Sequence, residues 1–273
     1  MKYVSFSLTQ IYNEHETENV IYFTKNSFSS WEGTRMQLLL DKEFISISKE
    51  RATIYSFLNV SLQEPLSAET LCRWRDDFTS EFIDIITFNN QELKNFFQAL
   101  RTENISAIEQ QEKDAYLATF YLFNNVGKIP APPWESVYVT KDRSMFGEPV
   151  FQLRKMLASF GLQSIEENTQ PEDHIAIELE FMCYLIHYTV AALEAGREDD
   201  YIRGLYCQIW LHREHFARWI HAFVSDIQSS GTSDFYKGIA ILLQSFISED
   251  YEYIKELKEG IENGSELNEQ PNQ

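Results

Sequence analysis

The chain has 273 residues, 44% of them hydrophobic and 14% aromatic, which is enough apolar surface to bury a self-sufficient core and excludes a disordered chain. Its 42 acids against 23 bases give a formal charge of -19, which repels a phosphate backbone and argues against nucleic-acid binding, since no basic stripe offsets it locally. The three cysteines, Cys72, Cys183 and Cys207, are widely spaced with no Cys-x-x-Cys pair, so neither a disulfide framework nor a thiolate zinc site is expected and a reducing, cytoplasmic setting fits.

In chain order, residues 1–37 are polar with scattered aromatics and no sustained period, and are expected to form an irregular N-terminal extension. No apolar run follows Met1 and Lys2, and the longest apolar stretch, Phe181–Ile186, is far shorter than a membrane span. From Phe44 onward apolar residues recur at helical spacing: Phe44, Ile47, Arg51, Ile54 and Leu58 mark a first helix. Ser67 caps a second, with Leu71, Trp74 and Phe78 on one face. Asn89 with Glu92 resembles a capping pair ahead of Leu93, Phe96, Phe97 and Leu100, and Ser106 with Glu109 opens a helix running through Tyr116, Leu117, Phe120 and Phe123.

Between Gly127 and Gly147 the period breaks, and Pro130, Pro132 and Pro133 predict an extended, ordered or semi-ordered loop. Leu153, Met156, Leu157 and Phe160 then form a helical face closed by Gly161. Pro171 opens a central helix over 172–195, apolar on most sides and stopped at Gly196. Two more helices are predicted, from Asp199 to Ile227 and from Ser233 to Phe246, and residues 263–273 read as a polar C-terminal tail. Nothing reads as a sheet, so the fold class is all-α: a single helical-bundle domain over 38–262, in two halves joined by a hinge at Ser164–Gln170. A long hinge also makes a domain-swapped homodimer an option.

Three stretches carry chemistry. The first, Ala131-Pro132-Pro133-Trp134-Glu135-Ser136-Val137-Tyr138, places two aromatics and a carboxylate on a rigid loop, which suits either a peptide-docking wall or a staple to the core. In Pro171-Glu172-Asp173-His174-Ile175 the acids suit a helix N-terminus, and His174 beside them can serve as base, metal ligand or hydrogen-bonding anchor. The third is His212-Arg213-Glu214-His215 with Trp219 beyond it; its spacing departs from His-Glu-x-x-His and from Glu-x-x-His. His187, on the central helix, reads most simply as a core histidine. There is no Gly-x-Ser-x-Gly nucleophile elbow and no phosphate-cradling glycine loop.

In this order on an all-α chain, these stretches resemble the TorD/DmsD family of redox-enzyme maturation chaperones. Pro132-Pro133-Trp134-Glu135-Ser136-Val137-Tyr138 is similar to the family's Pro-Pro-x-x-Ser-Val-Tyr segment, followed at its usual distance by Phe146-Gly147 and the helix of Leu153-Arg154. Pro171-Glu172-Asp173-His174-Ile175 is similar to its Glu-Pro-x-Asp-His hinge motif, and Glu214-His215-Phe216 with Trp219 to its late-helix Glu-His-Leu and Trp. The resemblance covers Asp41 to Leu257 and is strongest from Tyr116 to Phe223. Two positions depart from it: Gly127 stands where one branch has a tryptophan, and Gln170 where the hinge motif begins with Glu.

The resemblance implies a cytoplasmic chaperone, not an enzyme and without a cofactor, that binds the twin-arginine signal peptide and apo-form of a molybdopterin oxidoreductase and delays export until maturation. By position it implies a signal-peptide surface of Leu122, Phe123, Pro133, Trp134, Glu135, Gly147, Glu172, Asp173 and His174, with Ser136, Tyr138, His215 and Trp219 as structural motif residues. Apolar walls would take the leader's hydrophobic region and the carboxylates its arginines. Two rival readings are a metal-dependent hydrolase built on His174, His187, His212 and His215, and a helical scaffold subunit without leader specificity.

Overall fold

The computed structural model describes residues 42–164 and 171–268. The extension over 1–37, the boundary at 38, most of the expected hinge including Gln170, and the last five residues of the expected tail lie outside the described residues. Among the described residues eleven α-helices and one π-turn follow one another: α1 (Lys42–Gln63), α2 (Ala68–Asp77), α3 (Ser80–Ile86), α4 (Gln91–Thr102), α5 (Ile105–Phe120), α6 (Glu135–Val139), α7 (Glu148–Ser159), α8 (Ile175–Glu194), α9 (Glu198–Leu211), the π-turn His212–Phe216, α10 (Ala217–Ser229) and α11 (Asp234–Asn268). No strand occurs among the described residues, and the fold is all-α as expected; the single isolated β-bridge pairs Trp134 with His174.

α8 is the hub. α1 lies along one side of it and α9 along another, while α11 packs across α4 and α10. By length and mean hydropathy α8 could cross a membrane, which its longest unbroken apolar run does not reveal. Its apolarity is that of a core helix, for Leu179, Phe181, Met182, Leu185 and Ile186 are all buried against neighbouring helices. One hydrophobic core runs from Tyr55 and Leu58 on α1 to Trp219, Phe223 and Ile239 near the C-terminus, so the helices on either side of 165–170 share a single interior. Trp219 is fully buried, and its truncation to alanine in such a core costs about 3–5 kcal/mol.

Several boundaries differ from the sequence pattern, each for a local reason. Asn90, not Asn89, caps α4 by accepting from Leu93 N–H, while Asn89 takes the left-handed conformation at φ 50°. Asn104 takes the place expected for Ser106, because its side chain accepts from two amides, those of Ser106 and Ala107. Thr79 caps α3, an extra helix in the expected gap. α5 ends at Phe120, so Leu122 and Phe123 lie in the turn beyond it. α6 is a short helix inside the expected proline loop, and α8 starts at Ile175, not at Pro171. The helix expected over Asp199–Ile227 is interrupted by the π-turn, and α11 runs far beyond Phe246, into the expected tail.

Candidate functional site

The proline loop and the hinge motif meet at the bridge between Trp134 and His174. Glu135 N–H donates to Asp173 C=O and Ile175 N–H to Pro133 C=O, both at 2.9 Å. The prolines explain why this pairing is brief. Without N–H groups they cannot extend a ladder, and α6 and α8 then turn the two chains apart. Asp173 Oδ2 accepts from Ser136 N–H at 2.7 Å, satisfying an amide of the first turn of α6. Ser136 Oγ accepts from Gly147 N–H at 3.0 Å, which fixes the start of α7.

His174 caps α8: its Nδ1 accepts from Ala176 N–H at 3.1 Å, so the ring proton sits on Nε2, 3.2 Å from Tyr121 Oη. Burial pushes the imidazole down to about 3, so it is neutral. The Trp134 ring stands edge-on to both Tyr121 and His174, with centroids 5.6 and 5.5 Å away. Tyr138 packs on Trp219 and Phe223.

The carboxylates of the two motifs point inward. Arg154 donates Nε and Nη2 to the two oxygens of Glu172 at 2.8 and 2.9 Å, a bidentate clamp between α7 and the hinge motif. Glu135 Oε2 lies 2.5 Å from His215 Nδ1, and Arg218 approaches Oε1 at 3.5 Å. Glu135, Glu172 and Asp173 are each 0–1% exposed, so in this conformation none offers its carboxylate to an incoming peptide. Asp173 is pushed up to about 6 by desolvation, which outweighs its hydrogen bonds from Ser136.

The structure therefore divides the expected signal-peptide residues. Pro133, Trp134, Glu135, Glu172, Asp173 and His174 are buried, Gly147 is half-buried, and Leu122 and Phe123 are exposed at 55% and 73%. Four further exposed apolar side chains adjoin these motifs and were not assigned to the signal-peptide surface from the sequence: Val126 in the following turn, Met145 and Phe146 before Gly147, and Phe151 on α7. Phe146 was legible as part of the Phe146-Gly147 pair, and Phe151 only as an apolar residue outside the helix face of Leu153, Met156, Leu157 and Phe160. Gly127 sits at φ +72° in a turn closed by Asn124 N–H to Lys128 C=O, a geometry that disfavours the tryptophan of the family's other branch.

The four histidines of the hydrolase reading do not converge. His174 serves Tyr121, His212 lies 3.0 Å from Asp250, His215 serves Glu135, and His187 is half-buried on α8. The π-turn adds a residue per turn, and His212 and His215 go to different partners. Glu178, hidden in the apolar run of α8, is the buried acid the sequence did not single out; its Oε2 accepts from Trp219 Nε1 at 3.3 Å.

Comparison with known proteins now decides the family. A family model described as nitrate reductase delta subunit matches residues 89–225, half of the chain, and the match spans the proline loop, the bridge and the π-turn. The chain belongs to the TorD/DmsD family of redox-enzyme maturation chaperones. It is 27% identical over 222 residues to a protein named chaperone protein TorD from Vibrio cholerae serotype O1, covering 79% of this chain and 97% of that one. The TorD of Photobacterium profundum is 25% identical over 215 residues, 78% of this chain and 98% of its own. A protein of Haemophilus influenzae named probable Tat proofreading chaperone DmsD is 30% identical over 122 residues, 45% of this chain and 53% of its own. A solved redox enzyme maturation protein structure from Archaeoglobus fulgidus aligns over 82% of this chain and 98% of its own, at a TM-score of 0.40 and 15% identity. Within this TorD/DmsD chaperone the bridge between Trp134 and His174 joins the two motifs, while Leu122, Phe123, Val126, Phe146 and Phe151 are exposed.

Proposed function

We propose that this chaperone acts in the cytoplasm, where it binds the twin-arginine signal peptide and the apo-form of a molybdopterin oxidoreductase and holds them until cofactor insertion is complete. The observation that carries this reading is the set of exposed apolar side chains, Leu122, Phe123, Val126, Phe146 and Phe151, on the turns and helix adjoining the family's two motifs. Such side chains, set on a turn closed by Asn124 and Lys128 and about the start of α7 that Ser136 Oγ fixes, are preorganised for a hydrophobic leader segment and lose little entropy on binding. The leader's arginines meet exposed acids nearby, such as Asp142 and Glu148, and the charge of -19 speeds their approach. The Haemophilus relative's name, with its reference to Tat proofreading, agrees with this assignment.

The reading is tested by co-expressing this protein with a molybdoenzyme of the same genome, with and without the enzyme's leader. The apo-enzyme should be captured with its leader and lost when the leader is deleted. Capture that survives leader deletion, or none at all, would overturn the proposal, the first outcome in favour of a scaffold subunit.

A further inference from the structure

We infer that Glu135, Glu178 and His215 form a binding site for one divalent first-row transition-metal ion. The three residues come from α6, α8 and the π-turn, distant parts of the chain that the fold brings to one point. Each offers one ligand atom, and these atoms all lie within 4.8 Å of one another. A small inward adjustment brings them to metal–ligand bonds of about 2.0–2.2 Å.

Charge and satisfaction point the same way. Glu135 and Glu178 are 0% exposed, as is Asp173 close by, and among the described residues the fixed positive charge paired with this group is Arg218 on Glu135, a guanidinium at the rim whose side chain is 36% exposed. Buried carboxylates outnumbering their cations are costly unless a proton or a cation offsets them. Glu135 Oε1 and Glu178 Oε1, both fully desolvated, have no hydrogen-bond partner. Trp219 Nε1 donates to Glu178 Oε2 from behind, which is how metal-binding carboxylates are oriented, and Arg218 stands 3.5 Å from Glu135 Oε1 without a hydrogen bond. His215 also lies in a π-turn, a rare distortion that recurs where a helix presents a side chain to a site.

The donor set, one imidazole nitrogen and two carboxylate oxygens, suits zinc, iron(II), cobalt or manganese, and is a poor match for calcium or magnesium, which take oxygen alone. On binding, the ion replaces the contact between His215 Nδ1 and Glu135 and pins α6 to the hub helix, so it acts as a clamp on the proline loop. The inference does not depend on what the exposed surface binds.

The test uses the full chain stripped with a chelator and titrated with cobalt(II), then with zinc. About one cobalt per chain, visible d–d absorption bands, displacement by zinc and a raised melting temperature are expected. His215→Gln and Glu178→Gln should each weaken binding at least ~10-fold, whereas replacing the exposed His221 with Gln should change nothing. No stoichiometric cobalt, or cobalt binding that His215→Gln leaves intact, would overturn the site. If the variants fail to fold, the wild-type cobalt complex decides by NMR: a strongly shifted exchangeable imidazole N–H is expected, and its absence rules the site out.

Discussion

The main chains of Trp134 and His174 pair across 40 residues of sequence, and this contact joins the two motifs through Glu135 N–H to Asp173 C=O and Ile175 N–H to Pro133 C=O. It makes most of the family's motif residues interior residues. Substitutions there should act first on stability, and substitutions on the exposed apolar rim first on binding.

Arg154→Ala removes a bidentate partner from a carboxylate that is 1% exposed and leaves Glu172 stranded. Because Arg154 itself is 41% exposed, water recovers part of the loss. We expect a cost of about 2 kcal/mol, roughly 4–8 °C in melting temperature. Glu172→Gln, which strands no charge, should cost less. Calorimetry of both variants checks the order.

Asp173 titrates at about 6 in the folded chain because burial disfavours its charge. A carboxyl with a raised folded value adds stability that is fully present below its unfolded value near 3.9 and is lost as pH rises through about 6. His174 runs the other way: its value near 3 means that its contribution is present above an unfolded value near 6.5 and is lost as pH falls toward 3. The two are separated by comparison with Asp173→Asn, whose amide oxygen still accepts from Ser136. The variant should gain on the wild type between pH 4.5 and 7.5 by on the order of 2 kcal/mol, read from urea unfolding at each pH. A pH-independent difference would contradict the assignment.

Gly147 has an ordinary φ of -85°, so its role is proximity. A Cβ there would lie 2.8 Å from both Ser136 Oγ and Thr140 Cγ2. Gly147→Ala should therefore cost about 1–3 kcal/mol, and Ser136→Ala in the same chain should recover part of it. Additive losses in the double variant would contradict a direct clash.

Helix α11 is tied to α1 by a buried network: Arg51 bonds Asp250 and Gln208, and Tyr55 and His212 share Asp250 Oδ2. Arg51 holds the Asp250 carboxyl far below the usual range despite burial. That stability is present above the unfolded value near 3.9 and is lost only as pH falls well beneath it. Asp250→Asn, which leaves Arg51 buried without a counter-charge, should cost about 3–5 kcal/mol, measured by chemical denaturation at neutral pH.

The fold was legible where apolar spacing and glycine stops agree, as in α8 ending before Gly196 and α7 before Gly161. Caps were read one or two residues off, since Asn89 and Asn90 differ only in backbone angle. The carboxylates were the larger miss. Glu135, Glu172 and Asp173 look like surface acids because the partners that permit their burial are distant in sequence: His215 for Glu135, Arg154 for Glu172, Ser136 for Asp173. Asp250 is 199 residues from Arg51, and no periodicity announces such a pair.

The most direct measurement is a calorimetric titration of the folded chain with a synthetic twin-arginine leader from a molybdoenzyme of the same genome, alongside Phe123→Ala plus Phe146→Ala. Selective binding by the wild type and at least ~10-fold weaker binding by the double variant are expected, with the variant's melting temperature unchanged because both rings stand in solvent. Absence of binding to any leader, or a double variant that binds as the wild type does, would contradict the proposed function.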